Sequence, residues 1–259
     1  MLRPRVTPCL LLRDKGLVKT VRFDEYKYVG DPINAVRIFN EKEVDELIVL
    51  DIDASIKGSI PDFSLIKKLA AECRMPFCYG GGVKTVEQAK EIIGLGVEKV
   101  AISSAAIYNP KLISALAAEI GSQSVVVVLD VKRSLFGKYE VYTCNGKKNT
   151  KCAVYDLAIE AQALGAGEIV VNSIDQDGQM NGYDLNLAMS VRAAITLPIT
   201  LLGGAGSLEH IRMLIQACGV VGASAGSYFV FKGKHRAVLI NYPSISERDT
   251  LYEVSKRIL

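Results

Sequence analysis

Short apolar runs alternate with amphipathic stretches along the whole chain, and this alternation predicts strand–helix–strand units that build a parallel sheet. The predicted strands cover residues 6–12, 46–51, 76–80, 97–102, 123–131, 168–173, 199–203 and 220–225. The amphipathic segments between them predict helices. Eight such units fit a chain of 259 residues, the usual size of a (β/α)8 TIM barrel. We therefore expect one α/β barrel domain over residues 1–259.

Two polar excursions interrupt the alternation, and each is predicted to carry a hairpin. Residues 13–30 follow the first strand, with hairpin strands predicted over 17–22 and 26–28. Residues 132–150 follow the fifth strand, with a hairpin strand predicted over 138–143. Because both excursions follow equivalent strands of the two halves, they suggest a duplicated half-barrel.

The starts of two helices are also predicted from capping residues. Asp31 and Pro32 predict a helix that runs to about residue 41, because Asp is a favoured N-cap and Pro suits the first helical position. Asn109 is predicted to cap the helix that follows the fourth strand.

Two glycine-rich turns repeat at equal spacing in the two halves, predicted as residues 1–120 and 121–259. The first, at residues 80–82, is followed by Ser103, and the second, at residues 203–206, is followed by Gly226 at the same distance. Glycines after a strand let backbone N–H groups face a phosphate at the start of the next helix. Tight turns alone would also explain the glycines, but the repeat favours two phosphate sites at the C-terminal mouth of the barrel.

The two halves differ at one position that matters for chemistry. Aligning the first and fifth strands places Leu11 opposite Asp130 in the repeat. Asp130 ends an apolar strand, so it either faces the mouth as a general acid or base or pairs with a cation such as Lys19 or Lys132. Lys19 could reach over the mouth to an anionic substrate, or it could be an ordinary solvated lysine. Asp51 is more simply explained as a structural acceptor for neighbouring loops.

Composition narrows the classes of function. The net charge of +3 is too small to indicate nucleic-acid binding, and no apolar run is long enough to span a membrane. Only two histidines occur, His210 and His235, which disfavours a Ser-His-Asp triad or a His-rich metal site. Six cysteines without a CxxC pair, and a start without a signal peptide, indicate a cytoplasmic protein. No metal or organic cofactor is implied.

Four charged residues precede or begin strands at the opposite, N-terminal end of the barrel. They are Arg5, Glu46, Lys99 and Glu168. Two cations and two anions could form an ion-paired ring across the floor of the barrel, but the pattern alone favours simple polarity at the strand entries.

The chain resembles the cyclase (HisF-type) subunit of imidazole glycerol phosphate synthase over nearly its whole length. The resemblance is carried by Lys99 and by residues 47–51 (LIVLD), 80–82 (GGG), 130–133 (DVKR), 146–150 (GKKNT), 165–168 (GAGE), 173–178 (SIDQDG), 182–184 (GYD) and 203–206 (GGAG). It implies that a glutaminase subunit docks at the N-terminal face. Ammonia then passes through the barrel to a phosphorylated small-molecule substrate at the C-terminal face.

The resemblance also implies roles for individual residues. It implies a gate to the ammonia channel at Arg5, Glu46, Lys99 and Glu168, which replaces the simpler explanation of these charges. It implies a phosphate site at Gly82, Ser103 and Ser104, and another at Asp177, Gly178, Gly204, Gly226 and Ser227. Asp130 and Lys19 are the implied catalytic residues.

One departure from the family outweighs the others. Family members carry a second catalytic Asp where this chain has Leu11, and losing one partner of an acid–base pair commonly removes roughly two to four orders of magnitude in rate. Ser103 and Ser104 replace Asn-Thr, and Leu202 replaces a small polar residue. The chain is similar to a side branch linked to surface-polysaccharide synthesis and to conversion of an acetamido sugar to an acetamidino sugar.

Four interpretations remain open at this point. The chain could be an ammonia-channelling subunit specialised away from histidine biosynthesis, or a histidine-pathway cyclase that tolerates Leu11. It could also be a non-catalytic subunit that docks the glutaminase and delivers ammonia. An unrelated phosphate-binding barrel, such as a sugar-phosphate isomerase, is disfavoured by the gate residues and by the GKKNT loop.

Overall fold

The computed structural model describes residues 3–256, so the predicted domain limits at residues 1 and 259 lie outside the described residues. Its strands are β1 (Arg5–Arg13), β2 (Gly16–Lys19), β3 (Lys27–Gly30), β4 (Leu47–Asp51), β5 (Phe77–Gly80), β6 (Lys99–Ile102), β7 (Val125–Arg133), β8 (Tyr139–Thr143), β9 (Lys148–Ala153), β10 (Glu168–Ser173), β11 (Ile199–Leu202), β12 (Gly222–Ala225), β13 (Phe231–Lys232) and β14 (Ala237–Val238).

Helices connect the strands. They are α1 (Pro32–Glu41), α2 (Ala54–Lys57), α3 (Phe63–Glu72), α4 (Val86–Gly94), α5 (Ser104–Tyr108), α6 (Lys111–Ile120), α7 (Val154–Ala163), α8 (Leu185–Ala194), α9 (Leu208–Cys218), α10 (Ser227–Val230) and α11 (Ile245–Lys256). Between residues 3 and 256, no helix has the length and apolarity needed to cross a bilayer.

Eight parallel strands close into a barrel, which confirms the predicted (β/α)8 fold. The order around the barrel is β1, β4, β5, β6, β7, β10, β11 and β12, and β12 pairs with β1 to close the circle. The residues of β7 from Val125 to Leu129 are all buried, because one face of the strand lines the interior and the other packs under helices.

Both predicted hairpins are present. β2 and β3 extend β1, and β8 and β9 extend β7, in each case by antiparallel pairing. β1 and β7 are nine residues each, so they project beyond the shorter strands. The excursions that they carry therefore stand above the C-terminal mouth.

Several predicted boundaries need correction. Asn109 is not a cap: α6 begins at Lys111, and Pro110 is the N-cap residue with helical backbone angles and no capping side chain. The fifth strand begins at Val125 rather than at residue 123, because residues 122–124 form a 3-10 turn. The predicted start of α1 is confirmed, since Asp31 accepts a hydrogen bond from the Asn34 N–H at 2.9 Å. No element was predicted beyond residue 225, where the structure adds β13, β14, α10 and α11.

The barrel interior is layered by the two-residue period of its strands. In β4 and the residue before it, Glu46, Ile48 and Leu50 alternate inward, and Glu168, Val170 and Asn172 do the same in β10. A separate apolar cluster fills the middle layer, with Cys9, Ile48, Cys78, Ala101, Val126, Val128, Val170 and Leu202 as its buried members. Charged residues lie below this layer and the candidate site lies above it. All six cysteines are free.

Candidate functional site

A cavity of about 380 Å³ opens at the C-terminal mouth of the barrel. Its lining includes every residue predicted for catalysis or phosphate binding: Leu11, Lys19, Gly82, Ser103, Ser104, Asp130, Asp177, Gly178, Gly204, Gly226 and Ser227. These residues lie on, or in the loops after, seven of the eight barrel strands. The structure therefore brings together residues that are far apart in sequence, at the end of the barrel where βα loops build active sites.

Asp130 lies on β7 and is held by two neutral side chains. The Asn172 amide donates to Oδ1 at 2.9 Å, and the Ser103 hydroxyl donates to Oδ2 at 3.4 Å. Burial raises the pKa of Asp130 to about 7, although both hydrogen bonds oppose this rise. Of the two alternatives for Asp130, the pairing with Lys19 or Lys132 is wrong, because Lys132 is exposed and Lys19 binds elsewhere. With a pKa near neutrality, Asp130 can either give or take a proton.

Asn172 was missed by the sequence analysis. It is 6% exposed and lies on β10 directly opposite Asp130 in the parallel ladder. Its signal in the sequence is a polar residue within an apolar strand, next to the strand that carries the candidate acid. Because its amide N–H faces a carboxylate, it fixes the orientation of Asp130 in the cavity.

The other two carboxylates of the cavity accept hydrogen bonds from other groups of the protein. Asp51 accepts from the backbone N–H groups of Asp53 and Ala54 at 3.1 and 3.2 Å, as predicted for a structural residue. Asp177 accepts from the Thr20 hydroxyl at 2.6 Å and from the Phe23 N–H at 3.1 Å. Burial raises the pKa of both carboxyls. Of the three acids that line the cavity, only Asp130 lacks a backbone donor.

Leu11 contributes an apolar wall to the same cavity. It is paired with Leu50 in the ladder between β1 and β4, and both pack against the cluster that contains Leu202. The three leucines line the cavity together with Asp130. The position that matches Asp130 in the repeat therefore carries no titratable group.

Lys19 is buried, so the alternative of a solvated lysine is wrong. It is 4% exposed, and its ammonium donates to the Cys9 carbonyl at 2.5 Å. A Cβ on Gly226 would lie 2.6 Å from Nζ, which places the ammonium against the loop that precedes α10. Burial lowers the pKa of Lys19, while nearby Asp177 partly opposes this change.

The backbone conformation requires glycine at both turns. Gly82 has φ +74°, and Gly204 has φ +108°. A Cβ on Gly204 would lie 2.0 Å from the Gly182 carbonyl, and one on Gly82 would lie 2.7 Å from the Ser59 carbonyl. Close packing therefore accounts for these glycines without a ligand, and phosphate binding at the two turns stays a prediction.

The remaining loop residues connect the cavity to the second excursion and to the β13–β14 hairpin. The Ser104 hydroxyl accepts from the Cys144 N–H at 3.1 Å, which ties the second excursion to the start of α5. The Gly178 carbonyl accepts from Arg236 at 2.9 Å, which ties the β13–β14 hairpin to the loop after β10. Arg236 was also missed, since no element had been predicted in its region.

Arg5, Glu46, Lys99 and Glu168 form a closed ring of ion pairs at the N-terminal end. Arg5 contacts Glu46 and Glu168 at 2.6 Å each, and Lys99 contacts the same carboxylates at 2.6 and 2.9 Å. Thr200 donates a further hydrogen bond to Glu168 at 2.6 Å. We call these four charged residues the ring.

The electrostatics of the ring favour the charged forms of Lys99 and Glu168. Burial alone would lower the pKa of Lys99, but the Glu168 and Glu46 carboxylates outweigh it and raise the pKa. Burial would raise the pKa of Glu168, but Arg5 and Lys99 outweigh it and lower the pKa. Within residues 3–256 no cluster of three or more His, Cys, Asp or Glu side chains could hold a metal ion.

Known proteins show which family this chain resembles. The model of a family described as "Histidine biosynthesis protein" matches residues 5–236. The chain is 58% identical over 255 residues to a protein of Vibrio vulnificus named "Putative imidazole glycerol phosphate synthase subunit hisF3", covering 98% of each chain.

Two further relatives extend the comparison. A Pseudomonas aeruginosa protein named "Putative imidazole glycerol phosphate synthase subunit hisF2" is 51% identical over 249 residues, covering 96% of this chain and 99% of its own. A Thermotoga sp. protein named "Imidazole glycerol phosphate synthase subunit HisF" is 41% identical over 232 residues, covering 90% and 91%.

Proposed function

This chain belongs to the HisF-type family of imidazole glycerol phosphate synthase subunits, and we propose that it receives ammonia through its barrel from a glutaminase partner. The partner docks at the N-terminal face, where the ring lies. Ammonia is used or delivered at the C-terminal cavity, which holds a phosphorylated small molecule. The proposed phosphate contacts come from the two glycine turns and the loops that start α5 and α10.

The observation that carries this proposal is the contrast between an intact ring and an altered cavity. All four ring residues are present and paired, which supports retained ammonia handling. Leu11 supplies no proton where Asp130 would need a partner. We therefore propose a subunit specialised away from histidine biosynthesis, in the branch that converts an acetamido sugar to an acetamidino sugar for surface polysaccharides.

The chemistry proposed for the cavity uses one acid–base group. Asp130 accepts a proton from the attacking nitrogen, or donates one to a departing group, at a pH near its pKa of about 7. Lys19 supplies positive charge beside Gly226, where it stabilises an anionic group of the substrate. Asn172 keeps the Asp130 carboxyl in one orientation.

The decisive experiment asks whether Leu11 removes cyclase activity. The purified chain is given an ammonium salt and the bisphosphorylated ribulosyl aminoimidazole carboxamide, and imidazole glycerol phosphate is followed. We expect turnover about two to four orders of magnitude below that of an ordinary cyclase, because one of two proton-transfer groups is missing. Leu11→Asp should restore part of it.

The matched control for that experiment is Leu11→Asn, which adds polarity at the same position without a titratable proton. Restoration by Asp but not by Asn would identify the missing acid as the cause. Turnover by the unchanged chain at an ordinary rate would favour the alternative, a histidine-biosynthesis cyclase. An inactive Asp variant would instead favour a changed pocket or a subunit that only docks the glutaminase and delivers ammonia.

A further inference from the structure

The C-terminal segment is tied to the ring end of the barrel by a group of four side chains. These are Asp45, which precedes β4, and Tyr242, Arg248 and Tyr252 from the last part of the chain. Asp45 and its three partners are called the clasp. None of them belongs to the candidate site or to the ring.

The Asp45 carboxylate is the centre of the clasp. It accepts from Arg248 Nη1 at 2.7 Å, from the Tyr252 hydroxyl at 2.9 and 3.1 Å, and from the Val6 N–H at 2.9 Å. The Asp45 side chain is 4% exposed and that of Arg248 is 9% exposed. A buried carboxylate with a charged partner and several donors is well satisfied, and such bonds are among the stronger ones in proteins.

Tyr242 completes the clasp by bridging two backbone segments. Its hydroxyl donates to the Val6 carbonyl at 2.7 Å and accepts from the Asp45 N–H at 3.1 Å. The clasp therefore binds both backbone polar groups of Val6, and both the backbone N–H and the side chain of Asp45.

This region is where backbone pairing between β1 and β4 is missing. The ladder between these strands begins with Cys9 opposite Ile48, so Val6 and Asp45 lie three positions before its first pair. On its other side β1 is held by β12, with which Arg5 and Val6 pair. At the seam between β1 and β4, the clasp takes the place of a ladder.

The ring crosses the same seam. Arg5 immediately precedes Val6, and Glu46 immediately follows Asp45, so each is one peptide away from backbone atoms that the clasp holds. The contact between Arg5 and Glu46 is 2.6 Å, and Lys99 binds the other oxygen of Glu46 at 2.6 Å. A shift between the two strands at this level would separate Arg5 from Glu46 and loosen the hold on Lys99.

We propose that the clasp positions the ring: Tyr242, Arg248 and Tyr252 hold the starts of β1 and β4 together and so keep Arg5, Glu46 and Lys99 closed. The clasp residues are positioning residues, since they act through Val6 and Asp45. Any effect of the clasp on ammonia passage rests on the function proposed above. The positioning of the ring does not depend on that function.

The test measures how readily Lys99 reacts in the folded chain. Reductive methylation with formaldehyde and dimethylamine–borane is followed by mass spectrometry, with Lys90 as an internal reference because it pairs with Glu119 on the surface. We expect Tyr252→Phe and Arg248→Met to raise the methylation rate of Lys99 roughly three- to tenfold relative to Lys90, through local opening of the ring. Glu46→Gln is the positive control, and Tyr155→Phe on the exposed face of α7 is the matched negative control.

A clasp that only attaches α11 would give a different result. Thermal stability would fall, while the rate for Lys99 relative to Lys90 would stay at the level of the unchanged chain, and this would overturn the proposal. A rise shared by Lys19, which is 4% exposed at the other end of the barrel, would mean global unfolding and would overturn it too. Tyr242→Phe removes one hydroxyl only and provides a milder variant should Arg248→Met fail to fold.

The same variants separate this proposal from the function proposed above. They are assayed as the complex with a glutaminase, once with glutamine and once with an ammonium salt. Faster Lys99 methylation with unchanged dependence on glutamine would uphold positioning and contradict the role of the ring in ammonia passage. Faster methylation with loss of only glutamine-dependent turnover would support both.

Discussion

The two ends of the barrel treat buried charge in opposite ways. At the N-terminal end, two cations and two carboxylates satisfy one another, and Lys99 and Glu168 stay charged because each faces partners of opposite sign. At the C-terminal end, Asp130 is held by two neutral side chains, and burial raises its pKa to about 7. At the N-terminal end, the ionised side chains neutralise one another. At the C-terminal end, ionisation of Asp130 costs free energy that its two neutral partners do not offset. The difference supports the proposal that the N-terminal end maintains a fixed structure and that the C-terminal end exchanges protons.

The largest expected effect comes from unbalancing the ring. Glu168→Gln leaves Arg5 and Lys99 with a single carboxylate in a buried setting. We expect the free energy of unfolding to fall by about 3–5 kcal/mol, as is typical when one member of a buried ion pair is removed. Urea denaturation at pH 7 measures this change.

A matched control for the ring is Glu119→Gln, which removes a carboxylate from the exposed pair with Lys90. Exposed pairs contribute about 0–1 kcal/mol, so the change should be small. If both variants lost a similar free energy of unfolding, removing a carboxylate from the ring would destabilise the protein no more than removing one from a surface pair. The contrast between the two ends would then not hold.

Removing the charge of Asp130 at the C-terminal end should instead raise the free energy of unfolding. The pKa of Asp130 rises from its ordinary value of 3.8 to about 7 in the fold. Asp130 therefore contributes its full stabilisation below pH 3.8, and this contribution is lost as the pH rises to about 7. Asp130→Asn cannot ionise. Its stability relative to the unchanged chain should therefore increase by roughly 1–3 kcal/mol between pH 5 and pH 8.

Thermal or urea denaturation at a series of pH values checks this prediction. Asp249→Asn is the matched control, because it removes a carboxylate that is exposed on α11. A stability difference for Asp130→Asn that is flat across the series would show that Asp130 is already ionised in the folded chain at about pH 5, and would contradict the prediction.

The smallest expected effect is a shift in one titration. Asn172 lowers the pKa of Asp130 by donating to its carboxylate, so Asn172→Ala should raise that pKa by about half a unit to one unit. Carbon-13 NMR of the Asp130 carboxyl measures the midpoint. Ser103→Ala should give a smaller rise, since its hydrogen bond is longer, at 3.4 Å against 2.9 Å. A downward shift for Asn172→Ala would mean that its amide oxygen faces Asp130.

Particular residues show how far the sequence could lead. Asp130 and the glycine turns were found because strand periodicity and the internal repeat place them at defined ends of strands, and the barrel follows from the same periodicity. For the four ring residues the pattern alone favoured simple polarity, and only the resemblance to a family implied a gate. Asn172 was missed because its role depends on which strand lies beside β7, and β10 is distant in sequence. The burial of Lys19 was missed because it depends on Gly226 leaving room for the ammonium.

The C-terminal helix shows a second kind of limit. Over residues 245–253 of α11, Leu251 and Tyr252 are the buried apolar side chains, and polar bonds from Arg248 and Tyr252 to Asp45 also hold the helix. Hydrogen bonds between such distant residues leave no periodic trace in the sequence. Periodicity therefore predicts elements that bury an apolar face, and it misses those that are attached by a few specific polar contacts.

The pairing of β12 with β1 has a consequence for how the protein is made. Ser224 donates a hydrogen bond to the carbonyl of Thr7, which lies 217 residues earlier, and the circle of strands cannot close until β12 has been synthesised. During translation the edge of β1 stays open while the seven other barrel strands emerge one after another. Such an edge can pair with other chains, so a slow ribosome would expose the nascent barrel to aggregation until β12, at Gly222–Ala225, has emerged.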